Sequence, residues 1–159
     1  KICAIFELAE SLAKESKAID RMVAGNIGGP IRLDDLVTLV LTPALHSSSI
    51  AVPCGAILLT DTFSIYHAGD TGVFSEMTLL SELYKPVLAL LPIGGHFTMG
   101  VREAVKAIEL LKPQYVIPMH YNTFEVIRAD PKELYEMVRE RGLNSTVVVL
   151  QPGESYSFK

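Results

Sequence analysis

The chain has 159 residues, 49% hydrophobic and 20% charged, which suits one domain with a sizeable core and excludes a disordered chain. A formal net charge of −4 without any lysine-rich run argues against a nucleic-acid surface, and no stretch approaches the roughly 18 apolar residues of a membrane span. Two cysteines, Cys3 and Cys54, are too few for a disulfide framework and read as small buried hydrophobes, which fits a reducing, cytoplasmic setting.

Taken in order, ICAIF (2–6) predicts a buried strand, and ELAESLAKES (7–16) a helix with Leu8, Leu12 and Ala13 on one stripe. GNIGGP (25–30) is a turn. LVTLVLTPAL (36–45) is a long β-branched strand that ends at His46, and AILLT (56–60) pairs with FSIYHA (63–68) in a hairpin around Asp61 and Thr62. FSEMTLLSELY (74–84) is helical, with Met77, Leu80 and Tyr84 aligned. VLALLPI (87–93) is wholly apolar, as a strand covered on both faces requires.

The next helix runs over 99–112, buries Val101, Ala104, Val105, Ile108 and Leu111, and stops before Pro113. YVIPMH (115–120) is another buried strand. In DPKELYEMVRERG (130–142), Asp130 is the predicted cap, Pro131 the first helical residue, Glu133 the partner in a capping box and Gly142 the stop. TVVVL (146–150) and SYSF (155–158) are predicted strands split by the turn QPGE. With no repeat or linker, residues 1–159 form a single domain, and hairpins beside β-α-β units make the class α/β or α+β with a mixed sheet.

His46, Asp70, His96 and His120 each lie just past the carboxyl end of a predicted strand, the edge at which layered α/β folds bind ligands. Two imidazoles and a carboxylate suit zinc, manganese or iron. The glycines of GDTG let the chain turn sharply and aim the Asp70 carboxylate out of the sheet. Long, irregular gaps separate these residues, so spacing leaves open a hydrogen-bonded role for each histidine and an Asx turn for Asp70. His67 reads as a packed residue or a support for Asp70. Without a G-x-S-x-G elbow, Ser47, Ser48 and Ser49 read as partners of the loop backbone or of His46 rather than as nucleophiles. Asn122 and Thr123 either meet substrate or hold their loop. NIGGP and PIGG match neither nucleotide-binding glycine pattern.

The words HAGDTG, LLPIGGHFTMG and VIPMHYNTF, with HSSS upstream and in this order, resemble the metallo-β-lactamase superfamily, in particular its metal-dependent hydrolases similar to ascorbate-phosphate lactonase. The resemblance runs from AIFELAE to LQPGESYSF. It implies an αββα sandwich with two divalent metal ions, zinc foremost and manganese or iron next, at one edge. In it His46 corresponds to a ligand of the first metal, Asp70 to the carboxylate bridging both, and His120 to a ligand of the second. An anion between two cations offsets their repulsion, and the pair makes hydroxide available at neutral pH. His96 falls outside the superfamily's metal positions. Its Gly-Gly hinge suits a rim residue that touches a small-molecule substrate or protonates the leaving oxygen, or else a supporting hydrogen bond. The implied activity is hydrolysis of an ester, lactone or phosphoester by a metal-bound hydroxide; the alternative is a non-catalytic binding or oligomerisation module of the same fold.

The superfamily's H-x-H-x-D-H string does not occur in this sequence. The resemblance therefore implies that residues 1–159 are the C-terminal portion of the fold, a sandwich incomplete at the N-terminus, whose site is completed from elsewhere, by an N-terminal segment or a homo-oligomer partner, with apolar sheet surface that favours association. By itself the chain offers each metal one histidine and a shared carboxylate, short of the three protein ligands usual for catalytic zinc, so weak metal binding and poor hydrolysis are expected of it alone.

Overall fold

The computed structural model of the chain describes residues 1–15 and 21–158. The chain opens with β1 (Ile2–Ile5), α1 (Phe6–Glu15) and β2 (Met22–Gly25). Ser16, the predicted last residue of the first helix, lies outside the described residues. Next come β3 (Pro30–Arg32), β4 (Thr38–Pro43), β5 (Cys54–Leu59) and β6 (Ser64–His67), then α2 (Met77–Tyr84), β7 (Leu88–Pro92), α3 (Val101–Leu111), β8 (Tyr115–Met119), α4 (Pro131–Glu140) and β9 (Thr146–Val147). A short 3-10 turn, Glu125–Ile127, precedes α4.

Strands β3 to β9 lie side by side in chain order in one seven-stranded sheet, and β1 pairs with β2, in parallel, in a second. The large sheet is mixed. Its first four strands pair antiparallel, β6 through β9 in parallel. Two antiparallel steps separate β4 from β6, so β4 runs the same way as β6, β7 and β8, and all four deliver their carboxyl ends to one edge of the sheet.

Period-2 alternation sorts the core into two layers. Val40, Ile57, Tyr66, Ala89, Leu91 and Val116 face α2, α3 and α4, which bury Met77, Leu80, Ala104, Val105, Ile108, Leu134 and Val138 against them. Leu39 and Leu41 face the opposite way and pack with Ile5 of β1, with Leu8 of α1 and Ile31 at the margin. The order helices, large sheet, small sheet, helix is an αββα sandwich whose second sheet has two strands among the described residues.

Three predicted features are corrected, and two strands beside a predicted turn are added. SYSF forms no strand; Tyr156 and Phe158 instead pack their rings on Tyr115, at 6.3 and 4.9 Å between centroids, so the tail is held by aromatic contact without a ladder. TVVVL shrinks to a two-residue strand, although the Val148 N–H still donates to Val116 O at 2.8 Å. Asp130 accepts from Lys132 N at 2.9 Å, but the Glu133 side chain does not bond back to close the box. The glycine-rich turn at 25–30 is flanked by β2 and β3, strands too short and Gly/Pro-interrupted to be read from pattern.

Candidate metal centre

Each of the four parallel strands ends in a turn that sets up one of the polar residues. After β6, Gly69 adopts φ +66°, and a Cβ there would stand 2.9 Å from Cys54 O, so only glycine lets the chain swing Asp70 outward. Three non-glycine residues on the same edge, His96 (φ 58°), His120 (φ 53°) and Asn122 (φ 60°), are also left-handed, each at a cost on the order of 1–2 kcal/mol. Strain of this kind persists only where surrounding bonds over-determine it, and it clusters at functional sites. Here the Asn122 N–H donates to Ile127 O at 2.9 Å, and Ala129 N donates to Asn122 Oδ1 at 3.0 Å. These bonds show Asn122 holding its loop.

Thr71 links the loops and was not singled out from sequence. It is fully buried. Its Oγ1 accepts from Leu45 N at 2.9 Å and donates to Gly72 O at 2.7 Å. Its carbonyl accepts from Met99 N at 2.9 Å, and Gly72 N donates to Leu45 O at 3.1 Å. The residue beside Asp70 therefore ties together the loop that leads into His46 and the loop that carries His96.

The side chains converge in part. His120 Nε2 lies 3.6 Å from Asp70 Oδ2, and the two side chains are 28% and 47% exposed. This is longer than a good hydrogen bond, but two donors at about 2.0–2.2 Å from one tetrahedral cation stand roughly 3.3–3.6 Å apart. His120 Nδ1 is buried without a hydrogen-bond partner, which leaves Nε2 as the nitrogen with access to the edge. His46 is exposed, and its Nδ1 pairs with Ser47 O at 2.9 Å, the arrangement that places the proton on Nδ1 and a free lone pair on Nε2. His46 and Asp70 line one cleft of about 420 Å³, together with Cys3 and Cys54; burial pushes the Cys54 thiol up from its ordinary range. Among the described residues no three His, Cys, Asp or Glu side chains stand close enough to form a complete cage for an ion. The Asp70–His120 pair fits a divalent cation in donor type and separation, with His46 across the adjoining cleft.

His96 is exposed at the rim, its ring edge-on to Phe97 with 4.4 Å between centroids, and it bonds to neither Asp70 nor His120. His67 is exposed, which corrects the expectation of packing; β6 alternation turns it away from the core that buries Tyr66, and its Nδ1 accepts from Gly69 N at 3.1 Å, bracing the turn into Asp70. Ser48 Oγ accepts from Ile50 N and Ala51 N at 3.3 and 3.4 Å, so it stabilises the loop backbone.

Comparison with known proteins identifies the family. Residues 3–121 match the family model described as the β-lactamase superfamily domain. A UPF0173 metal-dependent hydrolase of Hyperthermus butylicus is 52% identical across 99% of this chain, which spans 70% of that protein. One from Thermofilum pendens is 54% identical across 99%, with 67% of its length spanned. Among solved structures, the metallo hydrolase Igni18 of Ignicoccus hospitalis aligns with all of this chain and 70% of its own, with 47% identity and a TM-score of 0.92. Isothiocyanate hydrolase from Delia radicum gut bacteria shares the fold at a TM-score of 0.69, with 19% identity over 91% of this chain and 66% of that one. With most of its length matched to the family and half its residues identical to these relatives, the chain belongs to the β-lactamase superfamily, among the UPF0173 proteins.

Proposed function

We propose that this chain carries the Asp70/His120 half of a dinuclear centre in a metal-dependent hydrolase. The single observation that supports this most is the 3.6 Å approach of His120 Nε2 to Asp70 Oδ2 at the edge where four parallel strands end. Asp70 would be the carboxylate shared by both cations, His120 would hold one and His46 the other, with zinc the first candidate and manganese or iron next. When bound, the cations supply a hydroxide nucleophile at neutral pH for attack on an ester, lactone or phosphoester.

The chain's own residues do the rest. Asp70 would supply the negative charge that offsets repulsion between the cations. The Nδ1–H of His46, committed to Ser47 O, fixes its tautomer. His96, exposed on the same edge, is the candidate proton donor to the leaving oxygen. Remaining ligands come from a segment of the protein outside this sequence or from a second copy. Leu45, Ile50 and Val52, exposed at 57%, 63% and 56% beside His46, support such a partner for this face.

One observation favours a second reading. With two close donors and no third among the described residues, the fold also suits a binding module without catalysis. The longest protein that contains this chain separates the two. Hydrolysis of nitrophenyl esters and phosphodiesters that disappears with a chelator, returns with zinc or manganese and is lost in Asp70→Asn supports the enzyme. Full metal stoichiometry in Asp70→Asn, or turnover indifferent to chelator, contradicts it.

A further inference from the structure

The loops after β7 and β8 also carry an aromatic pair outside the metal centre. Phe97 follows His96 directly, and Phe124 lies four residues past His120. The rings are 53% and 50% exposed, yet they meet across the two loops, 6.4 Å between centroids and inclined at 47°. Val126, 51% exposed, adds to the same loop. Loop tips ordinarily carry small polar residues, and large rings grouped in solvent mark a binding surface.

The supports are rigid. On one side Phe97 N donates to Gly95 O at 2.7 Å, Gly95 N to Met99 O at 2.9 Å and Met99 N to Thr71 O at 2.9 Å. On the other, Ile127 is fully buried and its carbonyl accepts from Asn122 N. Rings held this way offer apolar contact at little entropic cost. Two half-exposed rings and a valine present on the order of 300 Å², far below the roughly 800 Å² per partner of a stable protein interface. That area matches a small molecule.

We infer that Phe97 and Phe124 form an aromatic lip that takes the aryl or other flat apolar part of a substrate whose hydrolysable group sits at Asp70 and His120. The inference rests on the hydrolase reading and names its substrate class: esters or phosphoesters with a flat apolar substituent rather than fully polar ones. Ring centroids 6.4 Å apart let a third ring rest against both in offset or edge-on geometry.

The test compares phenylphosphonate with methylphosphonate, two non-hydrolysable anions that share a headgroup, titrated calorimetrically into the metal-loaded full-length protein. The expected result is at least tenfold tighter binding of the phenyl compound, a preference that falls to within about twofold in Phe97→Ala/Phe124→Ala. Both rings are exposed, so the double variant is expected to fold, and its melting curve checks this. This sequence contains no tryptophan, so Phe97→Trp adds one at the lip that keeps the preference and shifts its emission with the phenyl compound. Equal binding of both phosphonates by the parent protein, or a preference that survives the double substitution, overturns the lip and leaves the hydrolase reading standing. Failure of both phosphonates to bind also overturns the lip, while chelator-dependent turnover and its loss in Asp70→Asn decide the hydrolase reading separately. A change of oligomeric state in the double variant assigns the patch to a second copy and also overturns the lip.

Discussion

Replacing Thr71 with valine tests the idea that one buried hydroxyl organises the edge. Valine keeps the shape and removes Oγ1. Leu45 N then loses its acceptor at 2.9 Å, and Gly72 O loses its donor at 2.7 Å. Thr71 is fully buried and both bonds are partly buried, so water replaces them only in part. A net hydrogen bond contributes about 1 kcal/mol, and a buried group left unsatisfied costs about 1–3, so Thr71→Val is expected to destabilise the fold by about 2–3 kcal/mol. For a chain of this length that lowers the melting temperature by roughly 4–12 °C. Thr71→Ser keeps the hydroxyl and loses a methyl, so it is expected to recover most of the loss. Thermal and urea unfolding of the three proteins, with zinc affinity measured alongside, reads both stability and site geometry. Stability of Thr71→Val within about 0.5 kcal/mol of the parent, or a serine variant as damaged as the valine one, refutes the argument.

Two further expectations follow from the packing. Burial pushes the Tyr66 hydroxyl from 10.0 to about 12, so between these values the folded chain holds a proton that the unfolded chain has released. Stability from this group is therefore complete below pH 10 and is lost as pH rises through 12, by about 2–3 kcal/mol; denaturant midpoints should fall more steeply over that window for the parent than for Tyr66→Phe, and parallel curves contradict this. At Gly94 an added Cβ would stand 2.8 Å from Ile127 Cβ and closer still to the His120 carbonyl oxygen, so Gly94→Ala is expected to cost about 2–4 kcal/mol and weaken zinc binding by displacing His120, whereas parental stability and affinity in this variant would show that the close approach does not matter.

The sheet and its helices were largely legible because periodicity and burial coincide. Leu39 and Leu41 alternate with Val40 and Thr42 across β4, and Val101, Ala104, Val105, Ile108 and Leu111 form one helical stripe. Edges were less legible. SYSF has strand composition, but its aromatic rings pack on Tyr115 without pairing backbone, which no local pattern reveals. The strand-end rule located Asp70 and His120, and topology supplied the reason: β4, β6, β7 and β8 point the same way. Thr71 escaped notice because a threonine in GDTG reads as a turn residue; only the fold brings Leu45 and Met99 to it. Phe97 and Phe124, far apart in sequence, look like isolated loop aromatics until the β7–α3–β8 crossover sets them side by side.

Zinc titration against a competing chelator measures the central claim most directly, on the longest protein that contains this sequence. The account predicts two ions bound by the parent protein, both weakened at least tenfold in Asp70→Ala, and one ion preferentially weakened in each of His46→Ala and His120→Ala. Unchanged affinity for both ions in Asp70→Ala, with the variant folded, contradicts a carboxylate shared between them.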